Sequence, residues 1–151
     1  MPIDTVAQIQ HVVSCYSLRW GIELLFKTLK SGLHIEKLKY ETIDAYLTAS
    51  SLLIVVALRA EYVKMAARVD ADSSCEKYVD PTEWKAAYMV ANRTRKLPAQ
   101  PLTIGEFLLL IAKIGGYLNK KGQGPPGSET VWRGLRKLDA YRDALTAIEM
   151  V

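Results

Sequence analysis

Hydrophobic side chains recur along most of the chain at the three- and four-residue spacing that places them on one side of a helix. No segment alternates apolar and polar residues with the period of two that marks a half-buried strand. Polar and turn-rich stretches divide the pattern into segments that begin near Thr5, Glu41, Pro81, Thr103 and Ser128. The pattern therefore predicts an all-α protein, a bundle of about five or six helices with short connections.

Capping signals mark several of the predicted helix ends. In a capping box, a threonine side chain bonds the backbone N–H three residues on, and a Gln or Glu there bonds back. Thr5 with Gln8 forms such a box before the first helix, and Thr103 with Glu106 forms one before the fourth. The third helix has a different cap, Asp80 followed by Pro81 at the first helical position. Gly32 is expected to end the first helix in the left-handed conformation.

The first helix combines a polar face with an apolar face. An arc of about 80° carries five polar side chains at helical spacing: Tyr16, Arg19, Glu23, Lys27 and Lys30. A separate arc of about 100° is expected to dock on a core, and it holds Cys15, Leu18, Ile22, Leu25, Phe26 and Leu29. Spacing alone allows two interpretations of the polar face. It is either a solvated ladder of ion pairs, worth a few tenths of a kcal/mol each, or a functional site.

The second helix is the most hydrophobic part of the chain and is expected to run from about Glu41 to Val69. Its run of consecutive apolar residues, Leu52 to Leu58, is much shorter than the roughly 20 residues that cross a bilayer. We therefore expect a buried core segment, and a soluble protein without membrane contacts. The predicted core positions are Ile43, Leu47, Leu53, Ile54, Ala57, Leu58 and Val63.

The last helix is expected to run from Ser128 to about Met150. Its apolar side holds Val131, Leu135, Leu138, Leu145 and Ile148, with Trp132 beside them. Its basic side holds Arg133, Arg136, Lys137 and Arg142, an arrangement that is more often solvation than a docking site. Residues Arg93 to Pro101 are interpreted as a basic loop.

Composition narrows the chemistry that the chain can perform. It has 151 residues, half of them apolar, and a net charge of +4, which allows a polyanionic partner without requiring one. Cys15 and Cys75 lack CxxC spacing, and His11 and His34 lack paired-ligand spacing, so we predict neither a zinc site nor a disulfide. Because the sequence shows no secretory signal, the expected location is cytoplasmic.

The polar face also carries a characteristic spacing. Tyr16, Arg19, Glu23 and Lys30 follow the pattern Y-x2-R-x3-E-x6-K. This pattern resembles the YREK signature of bacterial insertion-sequence transposases of the DDE superfamily. Further short sequence segments also resemble that family and extend the resemblance over nearly all of the chain. They are residues 81–85, 114–118 and 130–135.

The resemblance implies a role for each signature residue. Glu23 matches the third acid of the catalytic triad, which binds Mg²⁺ (or Mn²⁺) together with two aspartates from an RNase H-like sheet. Tyr16, Arg19 and Lys30 match residues that contact the DNA of the transposon ends, and Lys27 shares their arc.

No aspartate of this chain matches the other two triad positions. We therefore expect those aspartates upstream of Met1, and we expect the isolated chain to be inactive as an enzyme. On the same resemblance, residues 1–40 end the catalytic domain and residues 41–151 form a C-terminal helical region. The chain would be the helical portion of an RNase H-like transposase whose sheet is missing from it.

The expected function is that of the C-terminal fragment of a cut-and-paste DNA transposase, with transposon ends as its DNA partner. Without the sheet, the apolar arc of the first helix needs another cover, which is either the second helix or a second copy of the chain, and we expect a homodimer. The last helix is a second candidate dimer surface. Two other interpretations remain: a non-catalytic helical DNA-binding or dimerisation/inhibitor module, and an unrelated helical bundle whose signature spacing is accidental.

Overall fold

The structure is a computed structural model that describes residues 5–149. Within this range it omits the side chains of Ser17, Leu18, Leu145, Thr146, Ile148 and Glu149. The predicted core roles of Leu18, Leu145 and Ile148 therefore lie outside the described residues, as do Met1 and Met150.

Helices account for most of the described chain. The α-helices are α1 (Val6–Lys27), α2 (Ile43–Val69), α3 (Pro81–Asn92), α4 (Ile104–Ile114) and α5 (Ser128–Glu149). A π-helical turn, Thr28–Gly32, continues α1, and 3₁₀ turns cover Ile35–Lys37 and Cys75–Lys77. The described residues contain no strand, only an isolated bridge between Ser74 and Thr103. The prediction of an all-α bundle is confirmed.

The predicted N-terminal caps are confirmed, whereas the predicted end of the first helix is wrong. Thr5 and Thr103 each form a complete capping box, and the Asp80 side chain caps α3 ahead of its proline. Gly32 does not take the left-handed conformation. His34 takes it instead, with φ of 52°. The reason is the π turn, whose wider winding prolongs the helix and delays the reversal of the chain.

The main core lies between the second half of α2 and helices α3, α4 and α5. Its largest fully buried side chains are Phe107, Ile104, Ile111, Leu138, Val63, Val131 and Cys75. Burial raises the pKa of the Cys75 thiol to about 11, so this thiol stays protonated at neutral pH. A smaller cluster of Leu29, Leu33 and Ala57 joins the π turn to α2, and Trp132 packs against both clusters.

Helices α4 and α5 approach each other closely at two glycines. A Cβ atom on Gly134 would lie 2.0 Å from the backbone oxygen of Ile111. A Cβ on Gly115 would lie 2.0 Å from the backbone oxygen of Thr130. Because backbone atoms cannot rotate away as a side chain can, this approach requires glycine at both positions. Both glycines lie in the short segments, residues 114–118 and 130–135, that carry the family resemblance.

Much of the predicted apolar face of α1 is not docked on a core. Cys15, Ile22 and Phe26 are exposed, the last two each at 55%. Leu29 is buried and Leu25 is half-buried against the smaller cluster. The prediction of a buried arc was therefore wrong for Cys15, Ile22 and Phe26. Helical periodicity identifies an apolar face, but it does not specify what covers that face.

The first half of α2 is exposed in the same way. The run from Leu52 to Leu58 was predicted to be buried, yet Leu52 is 65% exposed and Val55 is 64% exposed. Of the predicted core positions, Ala57 and Val63 are buried and Leu53 is half-buried. The remaining positions are exposed: Ile43, Leu47, Ile54 and Leu58. The predicted burial of this segment was wrong because the first half of α2 extends beyond the helices that surround its second half.

Helix α2 is long and apolar enough, by length and composition, to cross a membrane, and little of its most apolar stretch is buried. On its own this is weak evidence of a membrane span. Arg59, Glu61 and Lys64 pair with other segments of the protein and so place the second half of α2 inside the bundle. The remaining apolar stretch, residues 43–58, is shorter than the roughly 20 residues that span a bilayer.

Candidate nucleic-acid interface

The signature residues of α1 lie in contact along an unbroken helix. Arg19 Nε lies 3.6 Å from Glu23 Oε1, and the side chains are 64% and 51% exposed. The Arg19 guanidinium carbon lies 5.7 Å from the centroid of the Tyr16 ring, which is itself exposed. The structure thus brings together a phenol, a guanidinium and a carboxylate, all accessible to a ligand.

The two lysines of the predicted face have different environments. Lys27 is the exposed last residue of α1 and forms no ion pair with another described residue, so the ladder around Glu23 is reduced to the Arg19 pair. Lys30 lies in the π turn, beyond the point where 100° per residue applies. Its Nζ lies 2.9 Å from Glu36 Oε1, and this hydrogen bond raises the pKa of Lys30.

A polar network anchors the π turn that carries Lys30. Thr28, which is buried, donates its hydroxyl to Glu61 Oε1 at 2.6 Å. Lys64 Nζ lies 3.2 Å from Glu61 Oε2 and also contacts Ser128 Oγ, and the Ser128 hydroxyl donates to Glu61. One carboxylate therefore connects the turn, α2 and the first residue of α5. Sequence analysis missed this network because no local spacing links positions so far apart.

The environment of Glu61 favours its charged form. Burial by itself raises the pKa of this carboxyl, but hydrogen bonds from Ser128 and Thr28 and the charge of Lys64 outweigh burial. The net result is a pKa below the ordinary value of 4.5. The carboxylate is therefore ionised at neutral pH.

A second group of charges connects α2, α3 and α5. Arg59 lies 2.8 Å from Glu83 Oε1 and 3.0 Å from Asp139 Oδ2. Arg142, which the sequence placed on a basic outer face, lies 3.0 Å from Glu83. Burial lowers the pKa of Arg59, but the charges of Glu83 and Asp139 outweigh it and the net shift is upward. These pairs hold the bundle together and do not present a free basic surface.

Two family models match the chain, and together they cover most of it. The model described as "Transposase Tn5 dimerisation domain" matches residues 55–147, and the model described as "Transposase DDE domain" matches residues 2–58. The first match alone spans more than half of the 151 residues. The chain belongs to the Tn5 transposase family. The suspected relationship to DDE-superfamily transposases is thereby confirmed. All five residues of the polar face fall within the segment that matches the DDE domain.

Membership of the Tn5 transposase family implies DNA binding, dimer formation and dependence on a divalent metal. The described residues of this transposase chain do not make a complete metal site. Glu23 is an accessible carboxylate, but its charged neighbour is Arg19, and no group of three His, Cys, Asp or Glu side chains gathers anywhere in the described range. Divalent ions of this class take several oxygen ligands, so the Glu23 carboxylate alone does not complete a metal site.

Proposed function

We propose that the polar face of α1 is the DNA-end surface of a cut-and-paste transposase and that Glu23 is its third metal carboxylate. The observation that carries this proposal is the exposed Arg19–Glu23 contact at 3.6 Å, within the segment that matches the DDE domain. A carboxylate for a metal beside a guanidinium for a phosphate is the combination that phosphoryl transfer on DNA requires. Mg²⁺ or Mn²⁺ is the proposed metal, held jointly with carboxylates from outside the described residues.

The bases of this face have separate proposed roles. Arg19 grips a phosphate through two N–H groups, and Tyr16 donates its hydroxyl to another phosphate oxygen. Lys27 and Lys30 supply point charges, and the pair of Lys30 with Glu36 is exposed to solvent and screened, so Lys30 can exchange Glu36 for a phosphate. Contacts of this kind position DNA without reading its sequence.

The division of the chain is part of the same proposal. Residues 1–40 end the catalytic domain, and residues 41–151 form the C-terminal helical region. The site of action is cytoplasmic, where bacterial DNA lies.

Arg19→Ala and Lys30→Ala should each weaken DNA binding, by about threefold to tenfold, because each removes one phosphate contact. Each substitution should also reduce the slope of log affinity against log salt by about 1, whatever the DNA sequence. Fluorescence anisotropy with a labelled duplex over a range of salt concentrations measures both quantities.

Two control variants make this test sharper. Lys121→Ala removes the same charge from an exposed turn and should leave affinity and slope unchanged. Glu36→Gln releases Lys30 from its ion pair and should strengthen DNA binding. If the double variant of Arg19 and Lys30 binds with unchanged affinity and slope, the face of α1 is only a solvated ion pair.

A second candidate function, dimerisation, is favoured by the match of residues 55–147 to a dimerisation domain. This candidate function includes that of a non-catalytic module that binds a transposase protomer. We propose that the chain forms a homodimer through the exposed apolar face of α1 or through α5. Burying one such side chain contributes about 1.5 to 3 kcal/mol, so several must be buried together to offset the cost of association.

Light scattering coupled to size exclusion should show a dimer at about 100 μM, well above ordinary micromolar dissociation constants. If the α1 face is the interface, the double variant Ile22→Ser and Phe26→Ser should become monomeric. Leu118→Ser, at a side chain 67% exposed elsewhere, is the matched control and should remain dimeric. A dimer that persists in the α1 variant excludes the α1 face as the interface, and a monodisperse monomer of the unaltered chain would contradict the proposal.

A further inference from the structure

Two adjoining clefts lie where the C-terminal ends of α3 and α4 meet α5. Their volumes are about 420 and 370 Å³, and both have Val90, Arg93 and Tyr141 in their walls. The basic loop that follows α3 contributes Arg95, and α4 and α5 contribute Lys113 and Lys137. We refer to this surface, defined by Arg93, Arg95, Lys113, Lys137 and Tyr141, as the basic cleft. No Asp or Glu occurs among the described residues that line it.

The cations of the basic cleft are available to a ligand. Arg93, Arg95 and Lys113 make no ion pair with any residue in the described range. Lys137 donates one hydrogen bond, to the backbone oxygen of Ile114 at 3.2 Å, and an ammonium group has three protons to donate.

The other cations of α5 are engaged within the chain. Arg133 lies 2.9 Å from Glu129, Arg136 lies over the Trp132 ring at 5.1 Å, and Arg142 pairs with Glu83. Lys137 therefore differs from the other cations of α5, which contact side chains of the protein itself. The tertiary structure places this lysine beside three cations from other segments of the chain.

Helix dipoles do not account for this concentration of positive charge. A helix C-terminus carries about half a negative charge, so α3 and α4 together offset about one of the four cations. About three positive charges remain uncompensated in the cleft, because no described carboxylate lines it. Cations spread along two adjoining clefts match a row of phosphates better than one small anion.

We propose that the basic cleft binds the phosphate backbone of duplex DNA, as a second DNA-contact surface separate from the face of α1. The guanidinium groups of Arg93 and Arg95 offer paired N–H donors to phosphate oxygens, and the two lysines add point charges. The Tyr141 hydroxyl, on a side chain 42% exposed, is a further donor. Binding here is independent of DNA sequence, because the contacts go to phosphates and not to base edges.

The test measures the affinity of the full chain for a labelled duplex of unrelated sequence over a range of salt concentrations. The double variant Arg95→Ala and Lys113→Ala removes one cation from each cleft, and neither side chain forms a bond that the fold requires. Its affinity should fall about tenfold, and its salt slope should fall by about 2, one for each lost phosphate contact. Lys120→Ala with Lys121→Ala removes the same charge from an exposed turn outside the cleft and should change neither value.

A third variant examines Arg93, the one cation among the described residues that lines both clefts. Arg93 caps α3 with φ of 51°, a left-handed conformation that asparagine tolerates. Arg93→Asn should therefore retain the thermal midpoint and lose DNA affinity. Unchanged affinity in both cleft variants would overturn the proposal, and so would equal losses in the cleft and control pairs, since net charge alone would then explain the result. Because the variants of Arg19 and Lys30 are measured separately, failure of one DNA surface does not decide the other.

Discussion

Gly134→Ala should lower the free energy of unfolding by about 2–4 kcal/mol, in the upper part of the range for overpacked core substitutions. The added methyl group would lie 2.0 Å from the Ile111 backbone oxygen and 2.8 Å from its carbonyl carbon. No side-chain rotation relieves this clash, so α4 and α5 must separate and disturb the packing of Phe107 and Leu138 between them. Urea denaturation followed by circular dichroism measures the loss.

A matched control for this substitution lies in α1. Gly21 is also a glycine within a helix, but a Cβ atom there would meet nothing within 4 Å. Gly21→Ala should leave stability unchanged or increase it by up to about 1 kcal/mol, since alanine is the better helix former. Equal effects of the two substitutions would contradict the close approach of α4 and α5.

Glu61→Gln should lower the free energy of unfolding by about 1.5–3 kcal/mol at neutral pH, the usual value for hydrogen bonds to a charged group. Glutamine keeps the shape of the side chain but leaves the charge of Lys64 without its partner, next to Thr28 and Ser128. Chemical denaturation over a range of pH measures the difference between the variant and the unaltered chain.

The pH dependence of that difference has a definite sign. The folded-state pKa of Glu61 is lowered below 4.5, so the stability it contributes is fully present above pH 4.5. That contribution is lost as the pH falls through the folded pKa, and the variant and the unaltered chain should then converge. Glu129→Gln, which breaks an exposed pair with Arg133, should cost less than about 1 kcal/mol at any pH. A difference at Glu61 that persists in acid would show that the charge does not stabilise the network.

Sequence reasoning succeeded where the determining contacts are local. The capping box of Thr103 and Glu106 joins residues three positions apart, and the α3 cap joins residues two apart. Signals of this range are visible in the sequence, so the all-α class and the main helix starts could be predicted. The transposase family could also be identified, because the spacing from Tyr16 to Lys30 is a property of the chain itself. The roles of the individual site residues stay predictions.

Only the tertiary structure decided which side chains meet across the bundle. Arg59 and Asp139 are 80 positions apart, and Glu61 and Ser128 are 67 apart, so no helical spacing connects them. The same holds for the glycine contact of α4 with α5 and for the basic cleft, which draws its cations from three separate segments. Conversely, the apolar patterns of α1 and α2 identified faces but not their cover, and most of those side chains before Ala57 are exposed. Periodicity is set within one helix, whereas burial depends on whether another surface packs against that helix.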